Sequence, residues 1–226
     1  TWVDYCEENE EESFEKTVKS TMNAVELAKR FNAKLVYLST DYVFDGTKGF
    51  YTEDDEVSPL GVYAKHKLEA EQFIQQSMKD FFICRITNVY GDEIRGKNFI
   101  ARLSENMQKG EPMELNLPMD QYATPVNAAD VARAIYQLVT NKASGLYHFA
   151  STDYLNRVQM AERVLAYFGH EQVIIKAVTT EQLMQAAKRP LIGGMSAVKF
   201  NEEFPDFRWT NVDDYLSVLK TRTSNK

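Results

Sequence analysis

Between Glu12 and Asn32 the apolar residues Phe14, Val18, Met22, Val25 and Ala28 recur every three or four positions, the period that lays them along one stripe of an α-helix. Leu35-Val36-Tyr37-Leu38 follows as a short β-rich apolar run, which predicts a strand. Asp45-Gly46 and Lys48-Gly49 mark a turn-rich loop closed by Pro59-Leu60-Gly61. Helical periodicity then resumes through Tyr63, Leu68, Ala70, Phe73 and Ile74 to about Met78, and Phe81-Phe82-Ile83-Cys84 reads as a second, buried strand. Further helices are expected over Asn98 to Lys109 and Asn127 to Val139, with a late strand at Leu146-Tyr147-His148-Phe149.

Helix and continuous apolar strand in alternation predict an α/β fold with a parallel sheet whose two faces are covered by helices. After Ser151 the texture changes to a helix near Val158 to Tyr167, the strand-like Val173-Ile174-Ile175, a short helix near Glu181 to Ala187 and a loop-rich tail. The expected division is a sheet domain over 1–150 and a smaller C-terminal region over 151–226 that packs on it. The run Glu7 to Glu12 is expected to be a solvated loop and helix start.

Charge narrows the range of partners. The 26 Lys and Arg against 33 Asp and Glu of this 226-residue chain leave a net charge of −7, which repels phosphate backbones and argues against nucleic acid. No apolar run approaches the roughly 18 residues of a membrane span. Cys6 and Cys84 lie far apart without zinc-like spacing and are expected to be reduced thiols, with no metal site and a cytoplasmic location.

In an open α/β sheet, ligands bind beyond the carboxyl ends of the strands, which directs attention to Ser39-Thr40-Asp41-Tyr42-Val43-Phe44-Asp45-Gly46. Tyr63 and Lys67 stand four apart near the start of the next helix, on one helical face. An ammonium beside a phenol favours the phenolate, which suits Tyr63 to acid or base work on a carbonyl or carbinol oxygen. Thr40, at the strand end, is placed to share a hydrogen bond with that oxygen.

These segments, with Tyr51-x-Glu53, Pro59 and Glu69-Ala70-Glu71, resemble the extended short-chain dehydrogenase/reductases, and within them the dTDP-4-dehydrorhamnose reductase group. The likeness continues through Arg85-x-x-Asn88-Val89-Tyr90-Gly91, Gly96-Lys97-Asn98-Phe99, Asp120-Gln121, Thr124-Pro125, Asp130-Val131-Ala132, Gly145-Leu146-Tyr147-His148 and Arg189-Pro190. The resemblance implies a Rossmann-like domain with a substrate-region insert at about 92–125 and a C-terminal substrate-binding region. It implies reduction by NADP or NAD of the C4 ketone of a nucleotide-linked deoxysugar, in rhamnose or surface-polysaccharide synthesis. By the same resemblance Tyr63 protonates the C4 alkoxide, Lys67 binds the nicotinamide ribose, and Thr40 polarises the ketone. Leu38 and Ser39 run along the cofactor, and Asp41, Asn88 and Asn98 belong to the sugar site. A homodimer is the assembly to test.

The chain departs from the group in three places. Asn88 stands where the reductases usually carry an aromatic residue, and Asn followed by Val-Tyr-Gly is commoner among epimerases and dehydratases. Thr17 aligns where many relatives have an Asn that organises a proton relay. The ten glycines form neither GxxGxxG nor GxGxxG, so the pyrophosphate-binding turn is not among these residues. Thr1 to Glu7 resembles the segment after the fourth strand, as though about two βα units, on the order of 60 to 80 residues, were missing. Two expectations follow: weak binding of NAD(P)H by this stretch alone, and an exposed apolar sheet edge.

Bland roles are expected elsewhere. His66 is read as an exposed helix residue, His148 as a hydrogen-bonded core residue and His170 as a solvated helix end. Tyr42, Phe44 and Tyr90 are read as core packing. Asn98 and Phe99 are open between substrate contact and a helix start. Two rival functions are an epimerase or dehydratase, favoured by Asn88, and a non-catalytic regulatory subunit, since the beta subunit of methionine adenosyltransferase resembles this family too.

Overall fold

The computed structural model describes residues 2–94, 96–110, 112–169 and 173–224; His170 lies outside them. Three strands, β1 (Leu35–Thr40), β2 (Phe81–Ile86) and β4 (Gly145–His148), form a parallel sheet in the order β1-β2-β4. A second pair, β3 (Met113–Pro118) and β5 (Val173–Val178), is also parallel. The parallel α/β arrangement expected from the apolar alternation is therefore present.

Each face of the main sheet is covered. On one side Leu35, Tyr37, Ile83 and Leu146 pack with Val25 of α3 (Ser20–Arg30) and Ile74 of α4 (Val62–Ser77). On the other, Phe82, Cys84 and Tyr147 meet Val131, Ala134 and Leu138 of α6 (Ala128–Thr140), with Phe200 of α8 (Val198–Glu203) beyond. β2 is a continuous apolar strand because both of its faces lose water. Among the described residues β1 pairs only with β2, and Val36 and Leu38, level with Phe82 and Cys84 on the α6 side of the sheet, are 37% and 43% exposed, so helices leave this face of β1 open.

The second strand pair belongs to a separate hydrophobic centre. Ile100 and Leu103 of α5 (Phe99–Lys109), Leu117 of β3, and Met160 and Val164 of α7 (Arg157–Phe168) pack with Val212 and Leu216 of α9 (Val212–Ser224). Helix starts follow ordinary capping chemistry: the side chains of Asn98, Asn127 and Asn156 accept from Ala101, Ala129 and Gln159 backbone N–H groups.

Several expectations need correction. The tail alternates loops with two helices, α8 and α9, that were not expected, and the helix expected at Glu181 to Ala187 is only a 3₁₀ turn over Glu181–Leu183. β3 was not expected. The acidic run is helical, in α1 (Val3–Glu8) and α2 (Glu10–Phe14), which a π-helical turn over Glu15–Lys19 joins to α3. Nor is Glu7 simply solvated, because its carboxylate accepts from Val62 N at 2.8 Å and so caps α4. A Cβ on Gly61 would lie 2.9 Å from that carboxylate oxygen. His66 is buried rather than exposed: its Nδ1 is 2.9 Å from Ser13 Oγ and its ring packs edge-on to Phe14, because α2 lies over this part of α4. His148, Phe44 and Tyr90 are core residues as expected.

Candidate active site

The C-terminal end of β1 and the first two turns of α4 meet at one cavity of about 450 Å³. Leu38, Ser39, Thr40, Asp41, Tyr63, Lys67, Asn88 and Asn98 all contribute to its lining, so the fold gathers every candidate residue drawn from the sequence. Tyr63 and Lys67 share a face because one helical turn separates them. The Tyr63 ring stands edge-on to Tyr42, centroids 6.0 Å apart. Thr40 ends its strand in extended backbone, and its Oγ1 accepts from Tyr42 N at 3.2 Å and donates to Asp41 Oδ1 at 3.3 Å.

Lys67 Nζ donates to Leu38 O at 2.8 Å and lies 4.5 Å from the centre of the Tyr37 ring. Burial lowers its pKa to about 8, against the opposing influence of Glu71. Burial raises the Asp41 carboxyl to about 6, opposed by hydrogen bonds from Thr87, Thr40 and backbone N–H groups. A second cavity of about 440 Å³ lies on the other side of Lys67, lined also by Thr17, Thr21 and Tyr37. Thr17 sits in the π-helical turn, and its carbonyl accepts from Thr21 Oγ1 at 2.7 Å. Among the described residues the buried hydroxyl of Ser39, at the first of these cavities, has no hydrogen-bond partner.

Residues 1–218 match the RmlD substrate binding domain family. The chain belongs to this family. It is similar to the Bacillus subtilis spore coat polysaccharide biosynthesis protein SpsK, with 32% identity over 202 residues, 87% of this chain and 68% of that protein. It is also similar to the beta subunit of methionine adenosyltransferase 2 from Xenopus laevis, with 29% identity over 76% of this chain and 53% of that one. Among solved structures it resembles the dTDP-4-dehydrorhamnose reductase of Bacillus anthracis in complex with NADP. The TM-score is 0.86 at 26% identity, over 96% of this chain and 75% of that one. This RmlD-family chain thus has a Rossmann-like fold and is dTDP-4-dehydrorhamnose reductase-like.

Within the RmlD-family chain, Asn98 proves to be a helix cap: its Oδ1 accepts from Ala101 N and its Nδ2 donates to Val89 O, both at 3.1 Å. Asn88 has a left-handed backbone, φ 41°, and its Oδ1 accepts from Arg157 Nη2 at 2.6 Å. Arg157, Thr87 and Lys97 also line the cavity and were not expected from the sequence. Lys97 lies within the Gly96-Lys97-Asn98-Phe99 motif, which could have signalled it, whereas Arg157 lies 69 residues beyond Asn88 with no local signature. Among the described residues no cluster of three or more His, Cys, Asp or Glu side chains is suited to a metal, and no helix is long and apolar enough to cross a membrane.

Proposed function

We propose that this chain carries the catalytic and substrate-binding part of an NAD(P)H-dependent reductase acting on the C4 ketone of a nucleotide-linked sugar. The observation that carries the reading is the meeting of Thr40, Tyr63 and Lys67 at one cavity beyond the sheet. Leu38, Ser39, Tyr63 and Lys67 would hold the nicotinamide end of the cofactor. They fit it: Ser39 offers a buried hydroxyl that has no partner among the described residues, and an ammonium has three donors, of which the bond to Leu38 O uses one. When bound, the reduced nicotinamide supplies the hydride.

Tyr63 gives its phenolic proton to the oxygen that was the ketone, and the phenolate left behind is stabilised by the Lys67 ammonium. Lys67 keeps its proton below about pH 8 and so provides that charge near neutrality. Thr40 donates a hydrogen bond to the same oxygen, and Asp41 and Asn98 border the sugar. Residues 1–150, with an insert at about 92–125, and 151–226 are read as the sheet domain and the substrate region. The packing of α5 and β3 with α7 and α9 supports grouping the insert with the C-terminal part.

The test is Tyr63→Phe in the full-length protein, with NADPH oxidation followed in the presence of dTDP-4-dehydrorhamnose. The rate falls about 100-fold or more; an unchanged rate overturns the mechanism. Asn88 favours an epimerase or dehydratase as a second reading, identified by sugar turnover without net cofactor consumption. The likeness to a methionine adenosyltransferase beta subunit supports a third, a regulatory role, which stoichiometric association with a synthetase in the absence of turnover identifies.

A further inference from the structure

Tyr63 stands in the least secure part of its helix. It is the second residue of α4, and the first turn of any helix has backbone N–H groups with no partner inside it. The first bond that closes α4 runs from Lys65 N to Gly61 O at 3.0 Å, so the N–H groups of Val62, Tyr63 and Ala64 lie ahead of it. Lys67 is better held: it lies one turn further on, and its ammonium is tied to Leu38 O at 2.8 Å. Helices α5, α6 and α7 secure their starts with the side chain of the Asn that precedes them, but α4 is preceded by Gly61, which has no side chain to offer.

The cap comes instead from 55 positions earlier in the chain: Glu7, on α1, places Oε2 2.8 Å from Val62 N and accepts its hydrogen. Gly61 serves this arrangement by leaving room rather than by its backbone, which is extended at φ −134° and ψ 171°, since a Cβ there would come within 2.9 Å of Glu7 Oε2. Nor is α1 free to follow a straying α4. One turn before Glu7 and on the same helical face, Asp4 accepts from Ala187 N at 3.0 Å through Oδ1 and from Arg189 Nη2 at 2.8 Å through Oδ2. Arg189 donates in turn to Ala187 O at 3.0 Å, and both residues are buried. Pro190 then packs on Gly46, where a Cβ would lie 2.4 Å from the Cβ of the proline. One carboxylate of α1 therefore holds the start of α4, the other holds a buried segment of the C-terminal region, and Val3 of the same helix lines the 450 Å³ cavity.

We propose that Glu7 is a positioning residue for the proton donor: by capping α4 from outside, it fixes the first turn and with it the place of the Tyr63 phenol against the oxygen that receives the proton. The inference rests on the reading of Tyr63 as that donor. The effect falls on the chemical step, because proton transfer needs the phenol within hydrogen-bond reach of the reacting atom, and a displacement of about 1 Å can cost roughly 100-fold in rate. Lys67, Ser39 and Asp41, which the same reading assigns to binding, lie outside the first turn and keep their places.

Steady-state kinetics on the full-length protein with NADPH and dTDP-4-dehydrorhamnose test this, at a temperature where circular dichroism shows each variant folded. Glu7→Ala lowers kcat about tenfold or more and moves either KM by less than about twofold. Gly61→Ser alone also lowers kcat, because its Cβ displaces the Glu7 carboxylate. Joined in one chain, Glu7→Ala and Gly61→Ser recover kcat to within about threefold of wild type, since the serine hydroxyl caps α4 from the usual position once the carboxylate is gone. An unchanged kcat in Glu7→Ala overturns the proposal. So does a loss that the second substitution fails to recover, because Glu7 then acts by something other than the cap. Should Glu7→Ala not fold, the double variant is compared with Gly61→Ser: a faster double variant supports the assignment, and an equal or slower one overturns it. If the wild type does not turn over the sugar, the reductase reading falls and takes this inference with it; if it does and only Glu7 proves indifferent, that reading survives and this one does not.

Discussion

Arg85 and Arg157 are both drawn out of water, yet they are equipped differently. Arg85 is 4% exposed and grips Glu71, itself 1% exposed, through Nε–Oε1 and Nη2–Oε2 bonds of 3.0 and 2.7 Å. His148 Nε2 lies 3.3 Å from Nη1, and the Phe44 ring covers the guanidinium at 5.1 Å. His148 in turn reaches Tyr51 O at 3.0 Å through Nδ1, and its backbone N–H donates to Glu53 at 2.7 Å. This closed set of bonds ties α4, which carries Tyr63 and Lys67, to β2 and β4. Arg157 has a neutral amide where Arg85 has a carboxylate. A buried cation gripped by a carboxylate fastens the fold, whereas one held by a neutral amide, with the Asp41 charge acting on it only at longer range, keeps donors to spare.

The largest effect expected from breaking this contrast comes at the fastening. Glu71→Ala strands the Arg85 charge, and removing one member of a buried pair costs about 3–5 kcal/mol. At roughly 2–4 °C per kcal/mol for a chain of this size, the thermal midpoint falls by about 10 °C. Replacing both partners, Glu71→Met with Arg85→Met, recovers most of the loss because no charge is left buried. Thermal unfolding of the single and double variants decides it, and a Glu71→Ala midpoint within about 2 °C of wild type would show that the pair fastens nothing.

The next effect lies in pH. Burial first, and then the Arg85 charge, push the His148 pKa down to about 3. Between the ordinary value near 6.5 and that depressed one, the unfolded chain binds a proton that the folded chain refuses, so stability falls as pH drops through this window. Asp41 acts in the opposite direction: raised to about 6, it takes its proton in the folded state first, and folding gains as pH falls from 6 towards the ordinary carboxyl value. His148→Gln removes the destabilising part and leaves that of Asp41, so urea midpoints measured from pH 7 to 4 fall less steeply than in the wild type. Identical slopes in the two proteins would mean that His148 is not held neutral by its surroundings.

Much of the sheet was legible because β2 and β4 are covered by helices and β1 keeps an apolar run even though its Val36 and Leu38 are partly exposed. Leu35 to Leu38, Phe81 to Cys84 and Leu146 to Phe149 are apolar runs that nothing but a core strand explains. Thr40, Tyr63 and Lys67 were legible because a strand end and a helix start are local features, and the topology brings them together wherever a parallel βα unit forms. β3 escaped because Met113-Glu-Leu-Asn-Leu alternates over too few residues to stand out, and its partner β5 lies 60 positions away. His66 was misread for a related reason. The helical phase of α4 shows which residues share a face with Tyr63, but not that α2 covers the opposite one. Arg157 is the extreme case: an arginine after a capping Asn looks like any solvated first turn, and only its meeting with Asn88 across the fold sets it apart.

The smallest expected effect is the sharpest test of the contrast. Arg157→Met keeps the length and packing of the side chain and removes a charge that no carboxylate pairs directly, so the lost bond to Asn88 and the longer-range attraction of Asp41 are set against relief of the guanidinium's desolvation. Stability should change by less than about 1 kcal/mol, in either direction. Arg85→Met, the same chemical change at the fastening, leaves Glu71 charged and buried and should cost about 3–5 kcal/mol. Urea unfolding of the two variants side by side measures the difference directly. Losses of equal size would make Arg157 a second fastening; a near-neutral Arg157→Met beside a crippling Arg85→Met shows that the fold is fastened at Arg85 and does not lean on Arg157.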